Sequence, residues 1–116
     1  MSCLFDSISY FFNINSSQIR EIVCNYLEKN GSIMEGLDTD IILSLDGSKK
    51  DYVKNMRNYN TWGGGIEIKA VSNIFKVRIL VHILKNGKII EFLPIDNRIF
   101  KTIQLTWSGN HYEPIR

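Results

Sequence analysis

Cysteine is scarce in this sequence, and no apolar run is long enough for a membrane helix. Only Cys3 and Cys24 occur among the 116 residues, which is too few for a framework of disulfide bonds. One Cys3–Cys24 bridge is conceivable, but two free thiols in a reducing compartment, the cytoplasm, are expected instead. The longest apolar stretch, 77–84, is interrupted by an arginine and a histidine and falls far short of the ~20 residues that a membrane helix needs. A secretory signal is not expected, because the N-terminus lacks a basic segment and Asp6 interrupts its apolar run.

A strong excess of one charge is also absent. The 14 basic and 12 acidic side chains leave a net charge of +2, which gives no reason to expect a nucleic-acid partner without a concentrated basic patch. The one basic cluster, Lys50, Lys54 and Arg57, follows helical spacing and is interpreted as a solvent-facing helix surface. The cysteines and histidines do not occur at the spacing of zinc ligands, so neither a metal nor another cofactor is expected.

Hydrophobic periodicity changes along the chain from helical to extended. With 116 residues, of which 44% are hydrophobic, the chain suits one domain spanning 1–116. Helices are expected from Cys3 to about residue 12, from a cap at Ser16 or Ser17 to Asn30, over 49–58 and after the glycines at 63–65, with an irregular arm at 32–48 that contains at most a short helix. Strands are expected at 76–84, 89–95, 102–107 and 111–115, with a hairpin at 85–88. Helices followed by an antiparallel meander make the fold class α+β, with N-terminal helices packed on a small antiparallel sheet.

Three glycines at 63–65 precede the fourth helix without forming a phosphate-binding loop. The Lys-Ser/Thr pair that a nucleotide loop needs is replaced by Ile66 and Glu67, and Glu67 would repel an anion there. The glycines are therefore interpreted as a tight turn that lets two elements approach closely. His82 and Cys24, which have no reactive neighbours in the sequence, are interpreted as structural.

A histidine and a glutamate near the C-terminus form a pattern with chemical potential. His111 follows a Gly-Asn turn at the start of a strand, and Glu113 lies two residues further on. Residues i and i+2 of a strand share a face at a spacing of roughly 7 Å. Glu113 can therefore hold one ring nitrogen of His111 and leave the other as a base.

Cys3 stands at the opposite end of the chain, at the start of the first helix. The positive end of the helix dipole favours a thiolate there, and the free N–H groups of the first turn can bind an oxyanion. The order cysteine, histidine, polar residue is that of papain-like sites. The sequence therefore predicts a nucleophile at Cys3, provided that the sheet returns His111 to the first helix.

Three sequence blocks together resemble the OTU (ovarian tumour) family of cysteine deubiquitinases. They are SCLFDSIS (2–9), similar to the family's nucleophile block, YNTWGGGIEIKAVS (59–72), similar to its central Trp-Gly-Gly block, and NHYEPI (110–115), similar to its histidine block. The resemblance implies a papain-like OTU fold in which Cys3 is the nucleophile, His111 the base and Glu113 the residue that orients it. It also implies an oxyanion hole from the backbone amides of Ser2 and Cys3, and it makes Glu67 a structural residue. The family's aspartate three residues before its cysteine would precede Met1, which leaves Glu113 as the orienting group.

The resemblance further implies a function and a partner. The expected reaction is hydrolysis of the isopeptide bond after the C-terminal Gly-Gly of ubiquitin, or of a ubiquitin-like modifier, through a thioester on Cys3. Substrate binding is assigned to Trp62, Trp107 and Asn110. The arginines of the ubiquitin tail are expected to pair with the carboxylate of Glu35, Asp38 or Asp40. A monomer is expected in the cytoplasm, or in the host cytoplasm if the source is a virus or an intracellular microbe. The alternatives are a catalytically weak or inactive OTU-fold module that binds ubiquitin, which the missing aspartate allows, and a plain interaction domain.

Overall fold

The computed structural model describes residues 3–45 and 47–116, in which five helices precede four strands. The helices are α1 (Cys3–Ser9), α2 (Ser16–Glu28), α3 (Thr39–Leu43), α4 (Lys49–Met56) and α5 (Gly65–Phe75). The strands are β1 (Val77–Ile83), β2 (Ile89–Phe92), β3 (Lys101–Trp107) and β4 (Tyr112–Pro114). The predicted α+β class is confirmed. Within the described ranges, no helix combines the length and the apolar character needed to cross a membrane.

The first helix ends earlier than its apolar pattern predicts. Leu4, Phe5 and Ile8 are buried, as side chains on one helical face should be. The helix stops at Ser9 rather than near residue 12, because the amides of Phe11 and Phe12 bond to carbonyls three residues back, those of Ile8 and Ser9. Such bonds tighten the last turn of a helix and end it.

The second helix is capped by Asn15, which corrects the prediction of Ser16 or Ser17. Asn15 Oδ1 accepts a hydrogen bond from the Gln18 amide at 2.9 Å, and Gln18 Oε1 accepts one from the Asn15 amide at 3.2 Å. This reciprocal capping box satisfies two backbone donors at once. The helix turns one face to the core, and the fully buried apolar residues of that face are Ile19, Val23, Cys24 and Leu27.

The segment between α2 and α4 is the predicted irregular arm with a short helix inside it. Asp38 begins α3 by accepting a hydrogen bond from the Asp40 amide at 2.8 Å. Thr39 is buried and donates its hydroxyl to the Gly31 carbonyl at 2.6 Å. The arm is thereby fastened to the end of α2.

The sheet is mixed rather than antiparallel, which corrects the predicted meander. Its strand order is β2-β1-β3-β4. β2 pairs antiparallel with β1 through the predicted hairpin, where Gly87 takes a φ of +72° that glycine adopts without strain. β3 instead pairs parallel with β1, from Val77 opposite Lys101 to Ile83 opposite Trp107.

The parallel pairing follows from the route of the chain between β2 and β3. Residues 93–100 run back along α5 to the starting end of β1 instead of turning at once. Asn73 Oδ1 accepts from the Ile95 amide at 3.0 Å, and Lys69 Nζ donates to the Leu93 carbonyl. The Phe100 amide then donates to the Lys76 carbonyl at 2.7 Å, so β3 starts beside the start of β1.

The core lies between the sheet and the helices. Val77, Ile79 and Val81 of β1, with Ile103 and Leu105 of β3, bury alternate side chains on one face of the sheet. α5 packs against that face with Ile68, Ala70 and Val71 buried. β4 lies at the edge of the sheet next to β3 and contacts α1. The two ends of the chain therefore meet at one edge of the fold.

Candidate active site

Cys3 and His111 line the same cleft, where α1 meets β4. The cleft has a volume of about 230 Å³. Its walls come from both ends of the chain, and its lining residues are Cys3, Asp6, Ser7, Tyr10, His111, Tyr112, Glu113, Pro114 and Arg116. The fold thus brings together the three side chains, Cys3, His111 and Glu113, that the sequence analysis singles out for catalysis.

Cys3 is the first residue of α1 and is only partly buried. The next two residues anchor it, since Leu4 and Phe5 are 1% and 0% exposed. Ser7, itself buried, donates its hydroxyl to the Cys3 carbonyl at 2.7 Å. The thiol is therefore accessible on a fixed support, and it forms no disulfide with Cys24.

Gly63 lets the turn before α5 pack against that support. A Cβ atom at Gly63 would stand 2.6 Å from Leu4 Cδ2 and 3.2 Å from Phe5 Cε2, which is closer than carbon atoms approach. The close approach inferred for the glycine turn is confirmed at this position. The turn therefore packs closely against Leu4 and Phe5, the two side chains that follow Cys3.

His111 is paired with Glu113 as the strand spacing predicts. His111 Nε2 lies 3.1 Å from Glu113 Oε1, and the two side chains are 52% and 63% exposed. An ionised carboxylate only accepts hydrogen bonds, so Nε2 is the donor and Nδ1 is left as the basic nitrogen of the neutral ring. The turn that delivers His111 is closed by the Ser108 amide, which donates to the His111 carbonyl at 3.0 Å.

An apolar cavity adjoins the cleft on the other side of Tyr112. It has a volume of about 190 Å³ and is lined by Gly65, Ile68, Val81, Ile83, Ile90, Phe92, Trp107 and Tyr112. The Trp107 ring lies against the Tyr112 ring with centroids 4.5 Å apart. Burial, and then the nearby Cys3, raises the pKa of Tyr112. Trp107 is therefore one residue away from the catalytic cleft, behind Tyr112.

The other residues predicted to bind substrate lie outside these two cavities. Trp62 is 49% exposed and lines neither of them. Asn110 is exposed and accepts a hydrogen bond from the Ser108 hydroxyl at 3.0 Å within the turn. Asp38 and Asp40 bond within α3, and Glu35 is exposed on the arm. Ser2, predicted to supply an oxyanion-hole amide, lies outside the described residues.

A second set of polar residues lies in the core, and we call it the buried cluster: Arg20, Cys24 and Glu67, which are buried, and Tyr52, which is partly buried. Glu67 is 1% exposed and accepts hydrogen bonds from the Tyr52 hydroxyl at 2.5 Å and from the Gly64 amide at 2.7 Å. Burial raises the pKa of Glu67, against the effect of both hydrogen bonds. The bond to Gly64 caps α5, so Glu67 has the structural role that the resemblance implied.

Arg20 is the member of the buried cluster that the sequence analysis missed. It is 5% exposed, its Nη1 donates to the Met56 carbonyl at 2.8 Å, and its guanidinium carbon lies 4.5 Å from the centroid of the Phe5 ring. Its position did carry a signal, because Arg20, Cys24 and Leu27 follow the i, i+4, i+7 spacing of one helical face. Burial also raises the pKa of the Cys24 thiol to about 11, in agreement with its interpretation as inert.

The remaining candidates are structural or solvent-facing. His82 Nε2 lies 2.7 Å from Gln104 Oε1 on the neighbouring strand. Lys50 and Lys54 are exposed on α4, and Arg57 bonds to Asn25 and Glu28 at 2.9 and 3.3 Å, as a surface cluster would. In the described part of the chain, no three metal-binding side chains form a group that could hold an ion.

Comparison with known proteins relates this arrangement to one family. The model of the OTU-like cysteine proteases matches residues 2–108. Ubiquitin thioesterase otu2 of Schizosaccharomyces pombe is 28% identical over 98% of this chain and 42% of its own length. Ubiquitin thioesterase OTU1 of Saccharomyces cerevisiae is 30% identical over 98% of this chain and 36% of its own length. The chain thus spans less than half the length of these curated relatives.

Two solved structures show the same architecture. An OTU domain in complex with ubiquitin superposes with a TM-score of 0.79 and 30% identity, over 97% of this chain and 62% of that one. The viral OTU domain protease from Dera Ghazi Khan virus has a TM-score of 0.72 at 18% identity, over 97% of this chain and 72% of that one, a likeness that bears on the fold alone. His111 and Glu113 lie beyond the family-model match, so their assignment rests on the geometry of the cleft and on the resemblance of residues 110–115.

Proposed function

Because the chain belongs to the family of OTU-like cysteine proteases, we propose that it is a deubiquitinase with Cys3 as its nucleophile. The observation that carries the proposal is the shared cleft, which is lined by the first residue of α1, Cys3, and by His111 and Glu113 from the C-terminal edge strand and the residue before it. A thiol, an imidazole and a carboxylate in chain order are the parts of a papain-like site. Residues 1–116 act as a single catalytic domain and as a monomer.

The reaction begins with attack of the Cys3 thiolate on the carbonyl carbon of the C-terminal glycine of ubiquitin, which the isopeptide bond joins to the lysine nitrogen. The Cys3 amide, with that of Ser2, holds the oxyanion of the tetrahedral intermediate. His111, protonated by the thiol, gives that proton to the leaving lysine amine as the C–N bond breaks. The acyl group remains on Cys3 as a thioester. His111 then takes a proton from water, which attacks the thioester and releases the ubiquitin carboxylate and the thiol.

Glu113 keeps the imidazole in the productive tautomer. By accepting from Nε2, it leaves Nδ1 for the exchange of protons with Cys3. It also stabilises the imidazolium that forms when the thiolate does. Glu113 is therefore a positioning residue.

Ubiquitin as the substrate is supported by relatives and by one solved complex. The two yeast relatives are named ubiquitin thioesterases, and the OTU domain at 30% identity was solved with ubiquitin. Trp107, on the far side of Tyr112 from the cleft, forms one wall of the route by which the C-terminal glycines enter. A ubiquitin-like modifier with the same glycine pair fits this route as well, and a catalytic thiol favours the cytoplasm, or a host cytoplasm, as the location.

Covalent capture tests the proposal directly. The chain is incubated with ubiquitin that carries an electrophile in place of its C-terminal carboxylate, and the adduct is located by mass spectrometry. A single adduct on Cys3, absent from Cys3→Ala and kept by Cys24→Ala, is the expected result. Tight binding of ubiquitin without an adduct would instead establish an inactive ubiquitin-binding module, and neither binding nor capture would refute both functions.

A further inference from the structure

The α1 wall of the cleft carries two exposed polar side chains below the nucleophile. Cys3, Asp6, Ser7 and Tyr10 all line the cleft, because positions i, i+3, i+4 and i+7 share one helical face. Ser7 is buried and is occupied by its hydrogen bond to the Cys3 carbonyl. Asp6 and Tyr10 are exposed, so they are the residues of this wall that a bound substrate meets.

The Asp6 carboxylate makes no hydrogen bond or ion pair with any residue that the structure describes. Its backbone carbonyl accepts from the Ser9 hydroxyl at 2.8 Å and from the Tyr10 amide at 3.3 Å, but the side chain takes no part in these bonds. Its charge reaches Arg20 only through space, where it raises the pKa that burial lowers. The carboxylate of Glu113, which also lines the cleft, is hydrogen-bonded to the His111 ring.

The far end of the cleft is bounded by a cation over an aromatic ring. The guanidinium carbon of Arg116 lies 5.1 Å from the centroid of the Tyr10 ring. Cys3 is the first residue of α1, and Tyr10 directly follows its last residue, Ser9. The cleft therefore holds the nucleophile beside one end of α1 and the Arg116 guanidinium beside the other, with the unpaired Asp6 carboxylate between them along the helix.

The two cavities that meet at Tyr112 differ in the substrate half that they suit. The cavity that Trp107 and Tyr112 line is apolar, which suits the uncharged Gly-Gly backbone at the end of the acyl half. The cleft along α1 contains the Asp6 carboxylate instead, which suits a cation. The leaving half of an isopeptide substrate is a lysine, whose neighbours in the modified protein carry the charges that would reach this carboxylate.

We propose that Asp6 is a specificity-determining residue for the leaving group, and that it favours isopeptide bonds whose lysine is flanked by basic residues. This inference rests on the proposed function. The same carboxylate repels acidic flanks, so one residue discriminates in both directions. The Arg116 guanidinium, which lies over the Tyr10 ring, would repel a second positive charge of the substrate near that end of the cleft.

The test compares two substrates that differ only in the leaving half. Ubiquitin is joined through an isopeptide bond to the lysine of a fluorescent peptide with either arginine or glutamate on both sides. The ratio of kcat/KM for the basic over the acidic peptide is measured for the parent, for Asp6→Asn and for Glu21→Gln. Glu21 is exposed on α2 outside the cleft, so its variant removes the same charge elsewhere.

We expect a ratio above one in the parent that falls about threefold in Asp6→Asn, the scale of a solvent-exposed ion pair. The ratio should fall toward one as salt is added, should be kept by Glu21→Gln, and should invert in Asp6→Lys. A loss of folded protein lowers both rates equally and leaves the ratio untouched.

Three outcomes overturn the inference, and they are distinguishable. An unchanged ratio in Asp6→Asn, with both substrates still cleaved by the parent, refutes the role of Asp6 and leaves the proposed function standing. Equal loss on both substrates would mean that Asp6 supports the helix or meets the shared acyl half. No cleavage of either substrate by the parent would refute the proposed function, and the inference with it.

Discussion

The cleft that Cys3 and His111 line and the buried cluster contain the same reactive residue types, a cysteine and a glutamate each, under opposite conditions. In the cleft, Cys3 is partly exposed and the Glu113 side chain is 63% exposed. In the buried cluster, Cys24 is 0% and Glu67 1% exposed. The two regions adjoin, since Arg20 of the cluster lies over Phe5, two residues after Cys3.

The difference teaches that a reactive group is distinguished from a structural one by exposure to solvent and by hydrogen-bonding capacity that the protein leaves unused. Burial raises the pKa of Cys24 to about 11, which keeps it a thiol near neutral pH. Both oxygens of Glu67 accept hydrogen bonds from the protein, whereas Glu113 bonds only to the His111 ring among the described residues. Substitutions in the cleft should therefore change rate, and substitutions in the cluster should change stability.

The cysteine pair gives the largest expected effect. Cys3→Ala should abolish hydrolysis of ubiquitin conjugates without lowering the melting temperature, because this thiol is the proposed nucleophile and fills no core space. Cys24→Ala should keep kcat near the parent value while lowering the free energy of unfolding by about 1 kcal/mol, since it leaves a small cavity. Rates and urea denaturation of both variants test this, and an exchange of the two phenotypes would show that the nucleophile is Cys24.

The orienting carboxylate should have the next largest effect. Glu113→Gln should lower kcat roughly 10- to 10³-fold, less than the ~10⁴ lost when a serine triad loses its acid, because a thiolate forms more readily than an alkoxide. The affinity for ubiquitin and the melting temperature should not change, because both side chains of the pair are exposed. Steady-state kinetics with a separate binding measurement decide the matter. Parent-like kcat in Glu113→Gln would remove this residue from the mechanism.

Gly63 lies beside both regions, so its substitution should change the rate and the stability together. Gly63→Ala places a Cβ 2.6 Å from Leu4 Cδ2, and overpacking of this kind costs about 1–3 kcal/mol. Because Leu4 supports Cys3, kcat should fall together with stability. Gly65→Ala is the matched control for stability, since a Cβ there meets no atom within 4 Å. Equal melting temperatures for the two variants would show that the turn can yield without moving α1.

The smallest expected effect is on how stability depends on pH. Burial raises the pKa of Glu67 from its ordinary 4.5, so the folded protein binds more protons at this site than the unfolded chain does. Its contribution to the free energy of unfolding therefore decreases as pH rises above the ordinary pKa of a glutamate. Glu67→Gln removes that decrease, and its stability should gain on the parent across this range. Urea denaturation at several pH values measures the difference, with Glu21→Gln as an exposed control; parallel curves for parent and Glu67→Gln would contradict the assignment.

Much of the cleft could be predicted from the sequence, because its parts are local patterns. Cys3 starts a helix whose apolar spacing is clear, and the His111–Glu113 pair follows from the alternation of a strand. That these two patterns meet came from the resemblance to a family and not from periodicity. The structure places them on one cleft, since β4 is the edge strand that contacts α1.

The features that the sequence did not reveal depend on contacts between distant segments. The parallel pairing of β3 is determined by how residues 93–100 dock on α5, through Asn73 and Lys69, and no periodicity records that route. Arg20 was passed over because a charged residue on a helix is usually solvated, and its carbonyl partner on Met56 lies 36 residues away. Ser16 or Ser17 was predicted as the cap instead of Asn15, because serine and asparagine are about equally good residues at the N-cap position.

The placement of Cys3 and His111 at opposite ends of the sequence has a consequence for synthesis. During translation the nucleophile leaves the ribosome first, and the base follows roughly a hundred residues later. At about 5–20 residues per second, that interval lasts ~5–20 s, during which the nascent chain contains Cys3 but not His111. On the proposed mechanism, a nascent chain therefore gains activity only after β4 has emerged and docked beside α1, and translation that stops before residue 111 yields no active protease.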